Sequence, residues 1–259
     1  MQSIRLVALD IDGTLLDSRK ELRPRTRRAV RGLADRGVVL ALATGRIHPS
    51  AAEIVEALGI DAGIVSLNGT CVRSAGGDPL HHRPIPREGV GRVLDRAVER
   101  AAFPFLFLGD EIVLRGDSLP GRRALDRWTN GRHYRAVESF EEVTEPVLQV
   151  HLVAPAEVGP EVLAGMERDL DGEFDLFGYA STTGETWHLE IRIPGDDKGT
   201  GLERLRRTLG IAREEVLAAG DWLNDVALLE AAGVGVAMRG APEALGVLAI
   251  VVQDALAEA

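Results

Sequence analysis

Apolar positions along this chain follow one rhythm near both ends and another in the middle. From Leu6 to Leu67, short apolar runs alternate with longer stretches whose apolar residues recur every three or four positions. The runs Leu6–Leu9, Val38–Ala43 and Gly63–Leu67 read as buried strands, and Pro24–Arg36 and Pro49–Leu58 as helices. The same alternation returns late. It predicts a helix over Thr200–Leu209, a strand over Val216–Ala219, a helix over Asp225–Ala232, a strand over Val234–Met238 and a closing strand over Ala249–Val252. Strands apolar on both faces, separated by amphipathic helices, build a parallel sheet covered on both sides, so the fold class is α/β.

The rhythm changes at His81-His82-Arg83-Pro84-Ile85-Pro86, where two prolines mark a chain crossing. Beyond it, Phe103–Leu108 and Glu111–Arg115 flank Gly109-Asp110, a hairpin pattern. Further strands are expected at Val147–Val153, Phe174–Tyr179 and Trp187–Ile193, with helices over Gly89–Ala101, Gly121–Thr129 and Glu161–Leu170. The division expected is a core of residues 1–82 and 190–259 with an inserted α+β domain of residues 83–189.

Composition narrows the classes of partner. The 259 residues are 45% hydrophobic and 27% charged, the balance of a soluble globular protein. The apolar stretch Val247–Val252 is too short to span a bilayer, and Asp10 and Asp12 interrupt the one N-terminal run resembling a signal core, so neither a membrane nor export is expected. One cysteine, Cys71, excludes an intrachain disulfide and agrees with a cytoplasmic location. A net charge of −10 argues against a nucleic-acid partner. The basic stretch Arg23–Arg31 carries the apolar stripe Ala29, Val30, Leu33 and Ala34 behind it, which makes it a solvated helix face. Positive charge is almost all arginine, since the only lysines are Lys20 and Lys198. A compact ammonium kept in such a chain hints at a site that a guanidinium fork would not fit.

Candidate chemistry lies just past the predicted strands, the edge where open α/β sheets place ligands. Asp10 and Asp12 lie where the apolar run from Ile4 ends in a glycine turn, and as residues i and i+2 of a strand their two carboxylates share one side. Two such charges about 4 Å apart repel by roughly 4 kcal/mol at an effective dielectric of 20, which calls for a cation. Thr44-Gly45-Arg46 follows Val38–Ala43 and offers a hydroxyl and backbone N–H groups to phosphate oxygens. Lys198 follows the run Trp187–Ile193 and the loop Pro194–Asp197, while Asp221 and Asp225 follow Val216–Ala219. Hard oxygen donors from Asp10, Asp12, Asp221 and Asp225 suit Mg²⁺, and no paired Cys or His ligands accompany them to favour zinc. Thr44 and Lys198 would meet the remaining phosphate oxygens, so the layout is that of phosphoryl transfer.

The segments LDIDGTLLDS (Leu9–Ser18), ALATGR (Ala41–Arg46), SLNG (Ser66–Gly69), LEIRIPGDDKG (Leu189–Gly199) and AAGDWLNDVALLEAAG followed by VGVAM resemble the haloacid dehalogenase (HAD) superfamily of phosphatases. Within it the resemblance is to the Cof-like branch, which implies a Rossmann-like core with an inserted C2-type cap. It further implies Asp10 as nucleophile forming an aspartyl phosphate, and Asp12 as acid and then base. Mg²⁺ would be held by Asp10, the Asp12 carbonyl and Asp221, with Asp225 assisting. Thr44 and Lys198 would bind the phosphoryl group, with Gly45, Asn68 and Asn224 supporting it. Arg46 has two readings, a substrate contact or a structural ion pair. Neighbouring acids and substrate phosphate are expected to raise the Asp12 pKa while Mg²⁺ opposes them, giving turnover a bell-shaped pH dependence.

The substrate implied is a small phosphorylated metabolite, such as a sugar phosphate or cofactor phosphate. Phosphotransfer to an alcohol, as in mutases, and a phosphate-ligand binding regulator are the alternatives. His81, His82, Arg115, His151 and Trp187 are candidate selectors of the leaving group. Trp222 stands where the family usually has a small or polar residue, and either stacks on substrate or packs in the core. Asp196 and Asp197 replace a more neutral pattern, and either pair with Lys198 or face water.

Overall fold

The run Leu6–Leu9 is apolar throughout because it becomes the middle strand of a sheet buried on both faces. The computed structural model describes residues 3–116, 125, 129, 131–170, 172–181, 183–246 and 250–251. They form two compact units, Met1–His82 with Asp196–Ala259, and Arg83–Gly195.

In the first unit, β1 (Leu6–Leu9), β2 (Val39–Ala43) and β3 (Ala62–Ser66) alternate with α1 (Pro24–Ala34) and α2 (His48–Leu58). Two short antiparallel strands that the apolar pattern does not mark, β4 (Cys71–Arg73) and β5 (Pro79–His82), extend one edge. The eight-stranded sheet runs β14-β13-β12-β1-β2-β3-β4-β5, where β12 is Val216–Gly220, β13 is Val234–Ala237 and β14 is Ile250–Val251. Strand β1 pairs in parallel with β2 on one side and β12 on the other, Leu9 lying opposite both Leu42 and Ala219. Chain order reverses between β1 and β12. That reversal opens a crevice at the carboxyl ends of these strands, where α/β sheets bind ligands.

Leu6, Ala8, Ala41, Val65, Leu202 and Leu228 fill the core on one side of this sheet, and Val7, Ile11, Leu40, Leu42, Ala51 and Leu58 on the other. The helix expected over Asp225–Ala232 begins instead with a single 3₁₀ turn, Leu223–Asp225, and continues as a short α-helix, Val226–Glu230.

The second unit is a six-stranded sheet of order β10-β11-β9-β6-β7-β8. Its strands are β6 (Phe103–Phe107), β7 (Ile112–Arg115), β8 (Tyr134–Val137), β9 (Gln149–Pro155), β10 (Asp175–Ala180) and β11 (Thr186–Arg192), antiparallel except where β7 meets β8. Helices α3 (Arg87–Glu99) and α4 (Gly159–Leu170) contribute Val90, Val93, Ala97, Val162 and Met166 to its core. The hairpin turns at Gly109, with φ 100°, and β8 is a strand that the pattern did not mark.

Strand β11 lies in this second sheet, where the run Trp187–Ile193 was expected, Thr186–Ile191 pairing with β9 and Trp187–Arg192 with β10. The compact units divide at Gly195/Asp196, where a division at 189/190 was expected. The helix expected over Gly121–Thr129 lies outside the described residues except for Leu125 and Thr129, and only Ile250 and Val251 of the closing strand lie within them.

Candidate active site

Strand β1 ends at Leu9, and the chain turns at once. Asp10 is buried at the end of the strand, and the turn Asp12-Gly13-Thr14 closes through Gly13 N–H to the Leu16 carbonyl at 3.0 Å. Gly13 has φ 95°, and a methyl group there would sit 2.1 Å from Asp221 Oδ2. Only a residue without a side chain lets the loop after β12 approach the loop after β1 this closely. Thr14 then donates to Asp221 Oδ1 at 3.2 Å.

Lys198 does not follow a strand of the parallel sheet. It is the first residue of α5 (Lys198–Thr208), placed there by a capping interaction in which Asp197 Oδ1 accepts from Thr200 N at 2.6 Å. Its ammonium is 1% exposed and donates to Asp10 Oδ1 at 2.7 Å and to Asp225 Oδ1 at 2.6 Å. Asp225 is fixed in turn, because its Oδ2 accepts from the backbone N–H groups of Asp221 and Trp222, both at 3.0 Å. Carboxylate oxygens of Asp10, Asp221 and Asp225 all lie within 4.8 Å of one another.

Three carboxylates against one ammonium leave this centre short of positive charge. Burial, with Asp225 and Asp221 adding to it against Lys198, pushes the Asp10 pKa up to about 7. Burial and Asp225 raise Asp221 as well. Lys198 loses to burial but gains more from Asp10 and Asp225, so its pKa is raised and the ammonium is kept. The donor set fits a hard divalent cation, since it offers three converging carboxylates and no sulfur or imidazole.

The pairing expected of Asp10 and Asp12 is corrected. Because the strand stops at Leu9, the alternation does not reach Asp12, and its carboxylate is absent from the acidic cluster. It turns to cations of its own: Arg46 Nε and an Arg46 terminal nitrogen donate to its two oxygens at 2.7 Å each, and Lys20 Nζ donates to Oδ1 at 2.7 Å. Burial alone would raise Asp12, yet the hydrogen bonds and charge of Arg46 and Lys20 outweigh it and hold the pKa at about 2. In the free protein, then, Arg46 and Lys20 rather than neighbouring acids set the Asp12 pKa, and Arg46 is in an ion pair.

Thr44 follows β2 and is buried; its Oγ1 accepts from Arg46 N at 3.1 Å, leaving the hydroxyl hydrogen to donate elsewhere. Gly45 lies beside Asn68, to which an added methyl would come within 3.3 Å. Asn68 follows β3 in a left-handed conformation, φ 51°, and accepts from Asn224 Nδ2 at 3.0 Å, joining the loops after β3 and β12. All the residues expected in the catalytic, metal and phosphate roles thus lie in the first unit.

The remaining candidates separate. Asp196 is buried and bonds His81 Nε2 and Arg204 at 3.0 Å, so neither Asp196 nor the capping Asp197 pairs with Lys198, and His81 has a structural partner. Trp222 is 49% exposed, which excludes core packing. His82 and Arg115 are exposed at strand ends. His151 is buried in the second unit, its Nε2 3.0 Å from His188 Nδ1, and His188 stacks on Tyr179. Beside them Glu190 accepts from Tyr179 at 3.4 Å and from Arg192 at 3.2 Å. The polar alternation Thr186, His188, Glu190, Arg192 along β11 is the signal that would have found this group. Thr14 and Lys20 were also missed as site neighbours.

A phosphoryl-handling α/β protein is what this sheet edge defines. The chain belongs to the haloacid dehalogenase-like hydrolases, whose family description matches residues 7–255. It is 29% identical to phosphatase YwpJ of Bacillus subtilis (strain 168), covering 93% of this chain and 91% of that one. It is 31% identical to an HMP-PP phosphatase of Yersinia pseudotuberculosis serotype O:1b, covering 92% and 84%. The crystal structure of a haloacid dehalogenase-like hydrolase from Bacteroides thetaiotaomicron superposes with a TM-score of 0.85 at 28% identity, covering 95% of this chain and 92% of that chain. The chain is a phosphatase of this family.

Proposed function

We propose that the first unit is a Mg²⁺-dependent phosphomonoester hydrolase working through an aspartyl phosphate on Asp10. The observation that carries this reading is the Lys198 ammonium bridging Asp10 and Asp225, with Asp221 in the same acidic cluster. The Asp10 carboxylate attacks phosphorus as the bond from phosphorus to the ester oxygen breaks, and the leaving oxygen takes its proton from Asp12. Water then attacks the phosphorus of the aspartyl phosphate and gives a proton to Asp12, which frees Asp10 and inorganic phosphate.

Asp10, Asp221 and Asp225, with the Asp12 carbonyl, would hold Mg²⁺, which supplies positive charge to the phosphoryl oxygens when bound. Lys198 and the Thr44 hydroxyl hold the transferring group and offset its charge. The Asn68–Asn224 bridge and the Gly45 backbone shape the phosphate loop. Asp12 is anionic in its clamp, so the acid role requires it to give up a cation and take a proton as substrate arrives. The second unit acts as a cap that selects the leaving group, a sugar or cofactor phosphate being the class expected. Asp10→Asn should lower kcat by at least about 10³-fold while leaving the melting temperature at or above that of the wild type; near-wild-type turnover by this variant would rule out the covalent route.

A further inference from the structure

Of the 30 lysines and arginines only Lys20 and Lys198 are lysines, and both end on carboxylates of this site. Lys198 is buried between two acids and cannot leave them without stranding charge. Lys20 stands on a different footing: its side chain is 62% exposed, and the carboxylate it meets is already held by Arg46, which is 14% exposed, through two hydrogen bonds. Lys20 is a second cation on a single negative charge.

Its backbone is in the left-handed region, φ 62°, where glycine or asparagine would be least strained. The turn that imposes this is built by Asp17. Its Oδ1 accepts from Arg19 N at 2.9 Å and Glu21 N at 3.0 Å, and its carbonyl accepts from Lys20 N at 2.8 Å. The charge of Asp17 is paired with Arg23. Bridges from Asp12 to Leu16 and from Leu16 to Leu22 tie the turn to the site loop. The backbone thus delivers an ammonium to Asp12 at a position where a lysine is costly.

In the reaction proposed above, on which this inference rests, the Asp12 carboxyl meets the ester oxygen of the leaving group. A cation 2.7 Å from Asp12 Oδ1 therefore sits where the leaving group begins. Exposed lysine–carboxylate pairs contribute little to stability, so this one exchanges partners easily, whereas the buried bidentate Arg46 pair does not. We propose that Lys20 is a specificity residue that leaves Asp12 when substrate binds and pairs with an anionic group on the leaving group. The preferred substrates are then phosphate esters bearing a second phosphate or a carboxylate within a few bonds of the ester oxygen. The exchange also removes one of the two cations that donate to Asp12 Oδ1, the other being Arg46.

The test compares kcat/KM with Mg²⁺ for two matched pairs: 3-phosphoglycerate against glycerol 3-phosphate, and fructose 1,6-bisphosphate against fructose 6-phosphate. The wild type should favour the anionic member of each pair, and Lys20→Met should shrink that preference about tenfold, chiefly through KM. Lys20→Gly, which removes the ammonium but suits the left-handed backbone, should shrink it equally, and Lys20→Arg should restore part of it. Wild-type preference for the neutral members, or an equal loss on both members in Lys20→Met, would overturn the inference while leaving the phosphatase reading intact. A wild type that hydrolyses p-nitrophenyl phosphate but none of the four esters would overturn it as well. Failure to hydrolyse any ester, p-nitrophenyl phosphate included, would instead refute the mechanism on which both rest.

Discussion

Lys198 shows how a single side chain can hold a site together and also threaten it. Its buried ammonium offsets two carboxylates, and removing one partner of a buried ion pair typically costs about 3–5 kcal/mol. Lys198→Met should therefore melt well below the wild type and lose at least about 10²-fold in kcat, since the phosphoryl group loses its cation too; calorimetry and steady-state kinetics check the two parts. Gly13 makes the complementary case. A methyl there would meet Asp221 at 2.1 Å on a backbone of φ 95°, so Gly13→Ala should push Asp221 away and raise the Mg²⁺ concentration for half-maximal activity about tenfold or more. A Mg²⁺ titration at saturating substrate measures it. In the sequence Lys198 stood out as one of two lysines and through the order of the motifs rather than through a strand before it, and Gly13 as part of the motif Asp10–Thr14. The sequence did not show that Asp12 would face Arg46 and Lys20, because partner choice depends on which loops meet.

At the scale of elements, the cap of α5 places Lys198, and the His151–His188 pair links β9 to β11. Asp197→Ala removes the acceptor for Thr200 N and should cost about 1 kcal/mol in chemical denaturation. Burial, then the neighbouring His188, holds the His151 pKa well below its usual 6.5. The unfolded chain therefore binds a proton that the folded one refuses, and stability present above pH 6.5 is lost as pH falls below it. His151→Gln keeps a polar partner for His188 and should lessen the drop in melting temperature between pH 7 and pH 5, which thermal scans at both values compare. Strand β11 was legible as a strand of the insertion, but which strands flank it was not. Alternation along seven residues fixes which side chains share a face, and it says nothing about the neighbouring strand.

For the molecule as a whole, the first unit draws its acids from both ends of the chain, so a cation held by Asp10, Asp221 and Asp225 would link segments more than 200 residues apart. Mg²⁺ should raise the melting temperature in a concentration-dependent way, and EDTA should abolish turnover and return the melting curve to the metal-free position. The apolar rhythm by itself determined the parallel α/β layer and the loops that bear chemistry, because burial on both faces and helical periodicity are local properties of the chain. The ordered motifs determined the family. Tertiary structure alone decided that the charges divide into two groups, Lys198 with Asp10 and Asp225, and Arg46 with Lys20 on Asp12. The physical reason is that ion pairing and desolvation depend on distances between residues far apart in sequence, which no local pattern encodes.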